Sequence, residues 1–369
     1  MRIAVIGLGL IGGSIALAAS ERLPARTLGW DPDPSVLDRA LERGAIAARV
    51  GSLADAVAGA DAVFVAAPVG PLPELIGTVL AAAGDDCVVS DVGSTKRAIV
   101  SAHNDQRFVG GHPLAGSETA GIEHARGDLF DGATWYLTPT QITDGLLYER
   151  LHRIISGLGA RPAAVDADTH DRLLAQVSHL PHVFANVLVA MVAAGSGASD
   201  GGGEAGGGGE AAQERLPVVG PSFRDATRVA GANSGIWTDI YMSNRDALVP
   251  VIDDAIARLD AVRETLAAGQ ASELTRWNQA AADDHRRLLA NQMAGGEWQE
   301  LRVPVPNRPG VVAQLALELG RLRVNIADLA LYPAADMSEG VVALWIAGEA
   351  DASRAQRLIG DLGYPVFRP

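Results

Sequence analysis

The stretch Gly7-Leu-Gly9-Leu-Ile-Gly12 restricts this chain more than any other feature. It follows a short apolar run at 2–7 and precedes a helix-forming stretch that the pattern starts near Gly13 and Ser14. Glycines at this spacing allow a tight strand-to-helix turn and let main-chain N–H groups approach a pyrophosphate at the positive end of the helix. Gly7, Gly9, Leu10, Ile11 and Gly12 are therefore candidates for dinucleotide binding. An acid completes the pattern, because Asp31 ends the next apolar run in Gly29-Trp30-Asp31. A carboxylate there accepts from the ribose 2′-hydroxyl and repels a 2′-phosphate, which points to NAD rather than NADP. Asp33 is a competing ribose ligand, and a plain tight turn with a solvated Asp31 is the alternative.

The first part of the chain alternates short and long apolar patterns. Runs at 2–7, 27–31, 62–66, 87–91, 108–111 and 133–137 read as strands, with helical stretches such as 14–20, 35–43, 53–57 and 72–80 between them. That alternation implies a parallel sheet with helices on both faces, covering 1–165. From 166 to 296 the strand signal stops, and Leu248, Ile252, Ala255, Leu259, Val262 and Leu266 recur at helical spacing. A βαββαβ order then runs over 299–369, with segments 301–306, 311–322, 325–332, 340–347, 352–362 and 364–367; this fits a ferredoxin-like α+β module. Between Gly195 and Gly209, nine of fifteen residues are glycine, so a mobile and dispensable loop is expected inside the helical part.

Composition narrows the function classes. With 369 residues, 48% hydrophobic and 20% charged, the chain reads as two or three globular domains. Thirty basic against 44 acidic residues give a charge of −14, which argues against a nucleic-acid partner. A lone cysteine, Cys87, excludes an intrachain disulfide and suits a reducing compartment. The first residues already read as strand and turn rather than as a leader, so a cytoplasmic location is expected. The longest apolar stretch, around 183–195, reads as too short and interrupted to cross a membrane.

Chemistry should gather at the C-terminal ends of the strands, where an open α/β sheet holds its ligand. Ala67-Pro68-Val69 and Asp91-Val-Gly93-Ser94-Thr-Lys96 are placed there, with Pro68 and Gly93 expected to frame the nicotinamide. His112 follows in Gly111-His112-Pro113-Leu-Ala-Gly-Ser117-Glu118. A neutral imidazole in such a loop can take a hydroxyl proton while hydride leaves the same carbon, and Ser94 can hydrogen-bond the imidazole. Lys96 reads equally as a charge at a helix start. Further on, a helix begun near Asp168-Thr-His170-Asp171 carries Ser178-His179-Leu-Pro-His182, whose two histidines share a face. Two histidines without a third ligand leave a metal pair as the lesser alternative, and no metal is expected. Arg224-Asp225-Ala-Thr-Arg228 and Ser234-Gly-Ile-Trp237 bring a basic and an aromatic group together. Arg228 can clamp a carboxylate oriented by Asp225, or the two can be a surface pair.

Taken together, the 7–12 glycines, Val92-Gly-Ser94-Thr-Lys96, 111–118, Ser178-His-Leu-Pro-His182 and Arg224-Asp-Ala-Thr-Arg228 resemble the prephenate/arogenate dehydrogenases of tyrosine biosynthesis over residues 1–296. The resemblance implies a Rossmann domain followed by a helical domain that forms a homodimer, with the active site between them. It implies NAD-dependent oxidation of a cyclohexadiene carrying a ring carboxylate and an opposite hydroxyl, with loss of CO2 and aromatisation. Prephenate is the expected substrate, giving 4-hydroxyphenylpyruvate; arogenate differs only in a side-chain amino group. Carried over by position, His112 polarises the ring hydroxyl, Ser94 bonds to it and Arg228 holds carboxylate. His182, Ser178, His179, Glu118 and Trp237 complete the substrate set. The Gly-rich run at 195–209 is longer than the family's usual connection. Other Rossmann β-hydroxyacid dehydrogenases would be expected to place a lysine on the stretch 169–186, which has none. A sensor without turnover would not need His112, Ser94 and Arg228 together.

The C-terminal segment resembles an ACT domain through Val305-Pro-Asn307-Arg308-Pro309-Gly310-Val311 and Asn325-Ile326. The resemblance implies an amino-acid effector, tyrosine or phenylalanine, held by Asn307, Pro309, Gly310, Asn325 and Ile326; a module used only for packing is the alternative.

Overall fold

The structure, a computed structural model, describes residues 1–116, 119–195, 218–231, 233–292, 298–334 and 338–369. Its first part runs β1 (Arg2–Ile6), α1 (Leu10–Arg22), β2 (Arg26–Trp30), α2 (Pro34–Glu42), α3 (Leu53–Val57), β3 (Ala62–Val65), α4 (Leu72–Ala82), β4 (Val88–Asp91), α5 (Arg97–Ser101), β5 (Phe108–Pro113), β6 (Thr134–Thr138), α6 (Gly145–Gly157) and β7 (Arg161–Ala164). The strands form one seven-stranded sheet in the order β2-β1-β3-β4-β5-β6-β7. The order reverses between β1 and β3, which opens a crevice beyond the glycine turn.

Two features differ from the sequence reading. A seventh strand, β7, completes the edge, and β6 runs antiparallel to β5. The connection from β5 to β6 holds one short helical turn, Ile122–His124, rather than a crossover helix, so the chain returns antiparallel. α1 also starts at Leu10, earlier than the apolar pattern placed it, because glycines conceal the first turn from a hydrophobicity count.

The second part is helical: α7 (Ala167–Leu174), a π-helical turn (Ala175–His179), α8 (Leu180–Gly195), α9 (Pro221–Thr227), a 3-10 turn (Arg228–Gly231), α10 (Ser234–Ser243), α11 (Arg245–Ala267) and α12 (Ala271–Gln292). α7, the π turn and α8 form a continuous helix, of which Ala167–Ala194 is long and apolar enough, by length and composition, to cross a membrane. The reading of 183–195 alone missed this, because the helix continues backwards through polar positions. Those polar residues are buried: His170, Asp171, His179 and His182 turn inward, while Val187, Leu188 and Met191 are exposed. The π turn has a local cause. Pro181 has no N–H to give the Val177 carbonyl, so the ladder widens just before it. Of the stripe expected on α11, Leu248 is buried but Leu259 and Leu266 are more than half exposed. Apart from Gly195, the Gly-rich loop lies outside the described residues.

The third part is β8 (Trp298–Pro306), α13 (Val311–Arg321), β9 (Ile326–Pro333), β10 (Glu339–Ala347) and α14 (Glu349–Asp361). Its antiparallel sheet has the order β8-β10-β9, and the expected last strand is reduced to a single bridge between Phe367 and Arg302. The module docks closely on the first part. A Cβ on Gly310 would strike the Gln141 carbonyl, and one on Gly320 the Ala164 carbonyl. One apolar core runs through both, from Ile15 and Trp135 to Leu315 and Ile359.

Candidate active site

The glycine turn is built around two forbidden Cβ positions. Gly7 takes φ +91°, and a side chain there would meet the Ala66 carbonyl; a Cβ on Gly12 would strike the carbonyl of Gly7. Gly9 differs, with nothing within 4 Å of its missing Cβ, so the surface over the first turn of α1 is open. α1 has no side-chain cap, which leaves the N–H groups of Leu10, Ile11 and Gly12 without intrahelical acceptors. A diphosphate fits there by charge and by space. Beside it, the Asp31 carboxylate accepts from Leu8 N at 2.9 Å and Asp33 N at 3.0 Å, and its remaining lone pairs can serve ribose hydroxyls. Asp33 has another task, as the N-cap of α2 accepting from Ser35 N at 2.8 Å. Pro68 lies exposed after β3. Gly93 is buried and its N–H is taken by Asp91 at 2.7 Å, so it shapes the loop rather than offering a donor to a cofactor.

His112 stands at the end of β5, 8% exposed. Its Nδ1 lies 2.9 Å from His170 Nε2, and His170 Nδ1 lies 2.8 Å from Asp171 Oδ1. Protons in this chain have one consistent arrangement. A carboxylate only accepts, so His170 carries its proton on Nδ1 and presents a bare Nε2. His112 must then donate from Nδ1, which leaves its Nε2 lone pair as a proton acceptor. Asp171 is anchored in turn by the N–H groups of Lys96 at 2.8 Å and Arg97 at 3.0 Å, and Asn244 holds its carbonyl at 2.8 Å. Burial, together with the nearby His170 and Lys96, pushes the His112 pKa well below the usual histidine value, so the ring is neutral at pH 7.

Ser94 was expected in the place that His170 occupies. It lies half-buried in the loop after β4 and makes no hydrogen bond to His112. His170 and Asp171 were read only as part of a helix start, since nothing in the sequence pairs them with a residue 58 positions earlier. Lys96 is no surface charge: it is fully buried against Asp91, whose other oxygen accepts from Gly111 N at 3.1 Å. This pair ties the β4 loop to the strand that ends in His112.

Four expected residues meet at one cavity. It measures about 490 Å³ and is lined by His112, Ser178, Arg228 and Trp237, with Leu174 and Val177. His182 lies behind it, 3% exposed and stacked on the Trp237 ring at 3.6 Å and 8°, so Trp237 rather than His182 faces the opening. Asn244 Nδ2 lies 3.1 Å from His179 Nδ1, and Asn186 Nδ2 lies 3.2 Å from His182 Nδ1; Tyr241 also contacts His182. Each histidine therefore carries its proton on Nε2, and both Nε2 atoms are buried without a partner among the described residues. Burial pushes the His179 pKa down to about 4 and also lowers that of His182. No cluster of three metal-ligating side chains forms among the described residues. Glu118 lies outside them.

The five residues expected to bind an effector do not converge. Pro309 and Gly310 line a cavity of about 530 Å³ with Gln141 and Tyr364, whereas Asn325 and Ile326 line another of about 640 Å³. Gly310 donates its N–H to Thr143 O at 2.9 Å, so it cannot give that proton to a carboxylate, and Asn307 N bonds Ser338 O at 3.1 Å.

Two family models match: the prephenate dehydrogenase nucleotide-binding domain over residues 15–163, and the prephenate dehydrogenase dimerization domain over 166–280. The chain belongs to the prephenate dehydrogenase family. A prephenate dehydrogenase of Bacillus subtilis (strain 168) is 31% identical over 371 residues, 97% of this chain and 95% of that protein, so the similarity extends into the C-terminal module. Among solved structures, prephenate dehydrogenase from A. aeolicus in complex with hydroxyphenyl propionate and NAD+ superposes with a TM-score of 0.67. It is 26% identical and covers 78% of this chain and 98% of its own. Synechocystis arogenate dehydrogenase gives 0.65 at 27% identity, covering 78% and 100%.

Proposed function

We propose that this chain is an NAD-dependent prephenate dehydrogenase. It converts prephenate to 4-hydroxyphenylpyruvate and CO2. One observation carries the reading: the Asp171–His170–His112 chain leaves a neutral Nε2 acceptor in a cavity that Arg228 also lines. His112 takes the proton of the ring hydroxyl, while His170 and Asp171 hold its tautomer and stabilise the imidazolium that forms. Arg228 binds a substrate carboxylate, and Ser178 and Trp237 border the ring, with His179 and His182 packed behind Trp237. NAD+, when bound, supplies the hydride acceptor, and loss of CO2 with aromatisation supplies the driving force. The glycine turn holds its diphosphate and Asp31 its adenosine ribose. Glu118 and Ser94 are further candidates for substrate contact.

We assign 1–165 to cofactor binding, 166–296 to substrate binding and dimerisation, and 299–369 to an ACT-type regulatory module that takes tyrosine or phenylalanine. The exposed apolar side chains of α8 and α11 fit a second copy of the chain better than lipid, given the dimerization-domain match. A cytoplasmic enzyme follows from that reading. Arogenate is the second substrate reading, supported by the arogenate dehydrogenase of nearly equal structural similarity. Steady-state kinetics on prephenate and arogenate, each with NAD+ and NADP+, test both; higher kcat/KM with arogenate would displace prephenate, and turnover of neither would defeat the assignment.

A further inference from the structure

Asn244 is the single residue between α10 and α11, and it is fully buried. Its main chain serves as the N-cap of α11, with the carbonyl accepting from Ala247 N at 3.1 Å and Leu248 N at 2.9 Å. An asparagine at an N-cap ordinarily turns its side chain onto the first free amides of the helix. This one does not, and α11 has no side-chain cap. A local rule given up at a buried position marks a side chain with another task.

That task is visible in its partners. Asn244 Oδ1 accepts from Arg97 Nη2 at 3.2 Å, while Nδ2 donates to the Asp171 carbonyl at 2.8 Å and lies 3.1 Å from His179 Nδ1. The amide cannot be turned round, because a guanidinium only donates and a carbonyl only accepts. Both Nδ2 protons are therefore engaged, one by Asp171 and one by His179. Asp171 is held at both ends: its carboxylate by His170 and the Lys96 and Arg97 amides, its carbonyl by Asn244. His179 receives a donor on the lone pair that would otherwise take a proton, which favours the neutral ring. The titratable and charged groups facing His179 are Asp171 and His170 of α7, His182 of α8 and, behind the Asn244 amide, Arg97 of α5. Trp237 of α10 stands edge-on to it at 6.2 Å and 88°. A charge on His179 would in turn weaken the hold of His112 on a proton. The docking of this corner does not depend on the amide. Ser243 Oγ lies 2.7 Å from Thr95 Oγ1, and Ile240 is buried in the apolar cluster that holds Val65 and Leu72.

We infer that Asn244 is a positioning residue for the reaction, its one amide holding both the Asp171 end of the relay and the tautomer of His179. A charged His179 would make His112 a weaker base, and Asn244 keeps that charge from forming. The inference rests on the reading of His112 as the proton acceptor.

The pH dependence of kcat with prephenate and NAD+, measured on the full chain, tests it. Asn244→Asp keeps the shape but can only accept, so His179 must carry a proton on Nδ1. The new carboxylate favours the imidazolium, with Arg97 offsetting part of its charge. As the pH falls, kcat should begin to drop at least about one pH unit higher than in the unaltered protein. Adding His179→Gln to Asn244→Asp should remove that shift, a coupling that a merely structural residue does not show. Asn244→Ala should lower kcat about fivefold, the worth of a neutral hydrogen bond, with KM for NAD+ within about twofold. An unchanged acid limb in a folded Asn244→Asp protein, or a shift that survives the loss of His179, overturns the inference. Nitrogen NMR of selectively labelled histidines gives a readout on the unaltered protein. His179, assigned by its loss in His179→Gln, should be neutral at pH 7 with its proton on Nε2; a proton on Nδ1 overturns the inference whatever the variants do. Near-normal turnover in His112→Asn would overturn the base reading and this inference with it, and is told apart from failure of Asn244 alone because there the His112 variant stays impaired.

Discussion

Replacing His170 by phenylalanine keeps a ring against Tyr136 and His112 but removes the acceptor of the His112 Nδ1 proton. Asp171 keeps its bonds from the Lys96 and Arg97 amides, so the helix junction survives. Two effects then act on His112. Its tautomer is no longer fixed, so part of the population carries the proton on Nε2 and cannot accept another. The imidazolium formed during the reaction also loses a hydrogen bond to a charged donor, worth about 1.5–3 kcal/mol. At about 1.4 kcal/mol per decade this predicts a fall in kcat of roughly 10- to 150-fold, with KM and NAD affinity within about twofold. His112→Asn removes the acceptor itself and should cost more, roughly 10²–10⁴-fold. Stopped-flow absorbance of the reduced nucleotide in a single turnover reads the chemical step, and circular dichroism checks the fold. A folded His170→Phe protein with kcat within twofold of the unaltered enzyme would refute the relay.

Arg228→Ala should raise KM for substrate about 10- to 150-fold, the loss of one charge-assisted clamp of about 1.5–3 kcal/mol; an unchanged KM moves the carboxylate elsewhere. Lys96→Met strands the Asp91 carboxylate in the core and should destabilise the fold by about 3–5 kcal/mol in denaturant titration; a loss under about 1 kcal/mol would mean Asp91 finds other compensation. Asp31→Ser should lower the preference for NAD+ over NADP+ in kcat/KM at least about tenfold, because a charged acceptor for the ribose and its repulsion of a 2′-phosphate are lost together. Acid should weaken the fold through the buried histidines. His152 and His179 are pushed down to about 4, against about 6.5 in the unfolded chain. The unfolded state therefore binds protons first, and stability that is full above about pH 6.5 is lost on acidification, by about 2 kcal/mol for each ring near pH 5. A Tm that stays level from pH 7 to 5 would contradict this.

Local rules carried the reading furthest where a single residue decides the backbone. The glycine turn was legible because no other residue fits at Gly7 and Gly12, and Asp31 because it ends a strand in register with that turn. His112 drew attention as a histidine in a Gly- and Pro-rich stretch, but that stretch reads as a loop, whereas His112 lies within β5, 8% exposed. The direction of β6 was not legible, since alternating apolar runs look alike in parallel and antiparallel pairs. Nor was the partner of His112. Ser94 and His170 are both capable acceptors, and the choice between them depends on how α7 is rotated against α5. That rotation is fixed by Asp171 capping the Lys96 and Arg97 amides, a contact between distant elements that no periodicity reports.

The same contact explains how an acidic chain can serve an anionic substrate. The charge of −14 is spread over the whole surface, and at physiological salt it is screened beyond about 8 Å. What the substrate meets in the cavity is set by nearer groups. Lys96 is matched by Asp91, and Arg97 lies against Asp168 and Asp171, although the Lys96 charge still helps to lower the His112 pKa. His112, His170, His179 and His182 all have pKa values lowered by burial, and they enter as neutral donors or acceptors. Among the described residues that line the cavity, Arg228 is the one that carries a formal charge. A site built this way places one cation at the carboxylate end and keeps the hydroxyl end neutral. A neutral imidazole is what proton abstraction requires, because its Nε2 lone pair is then free to accept the hydroxyl proton.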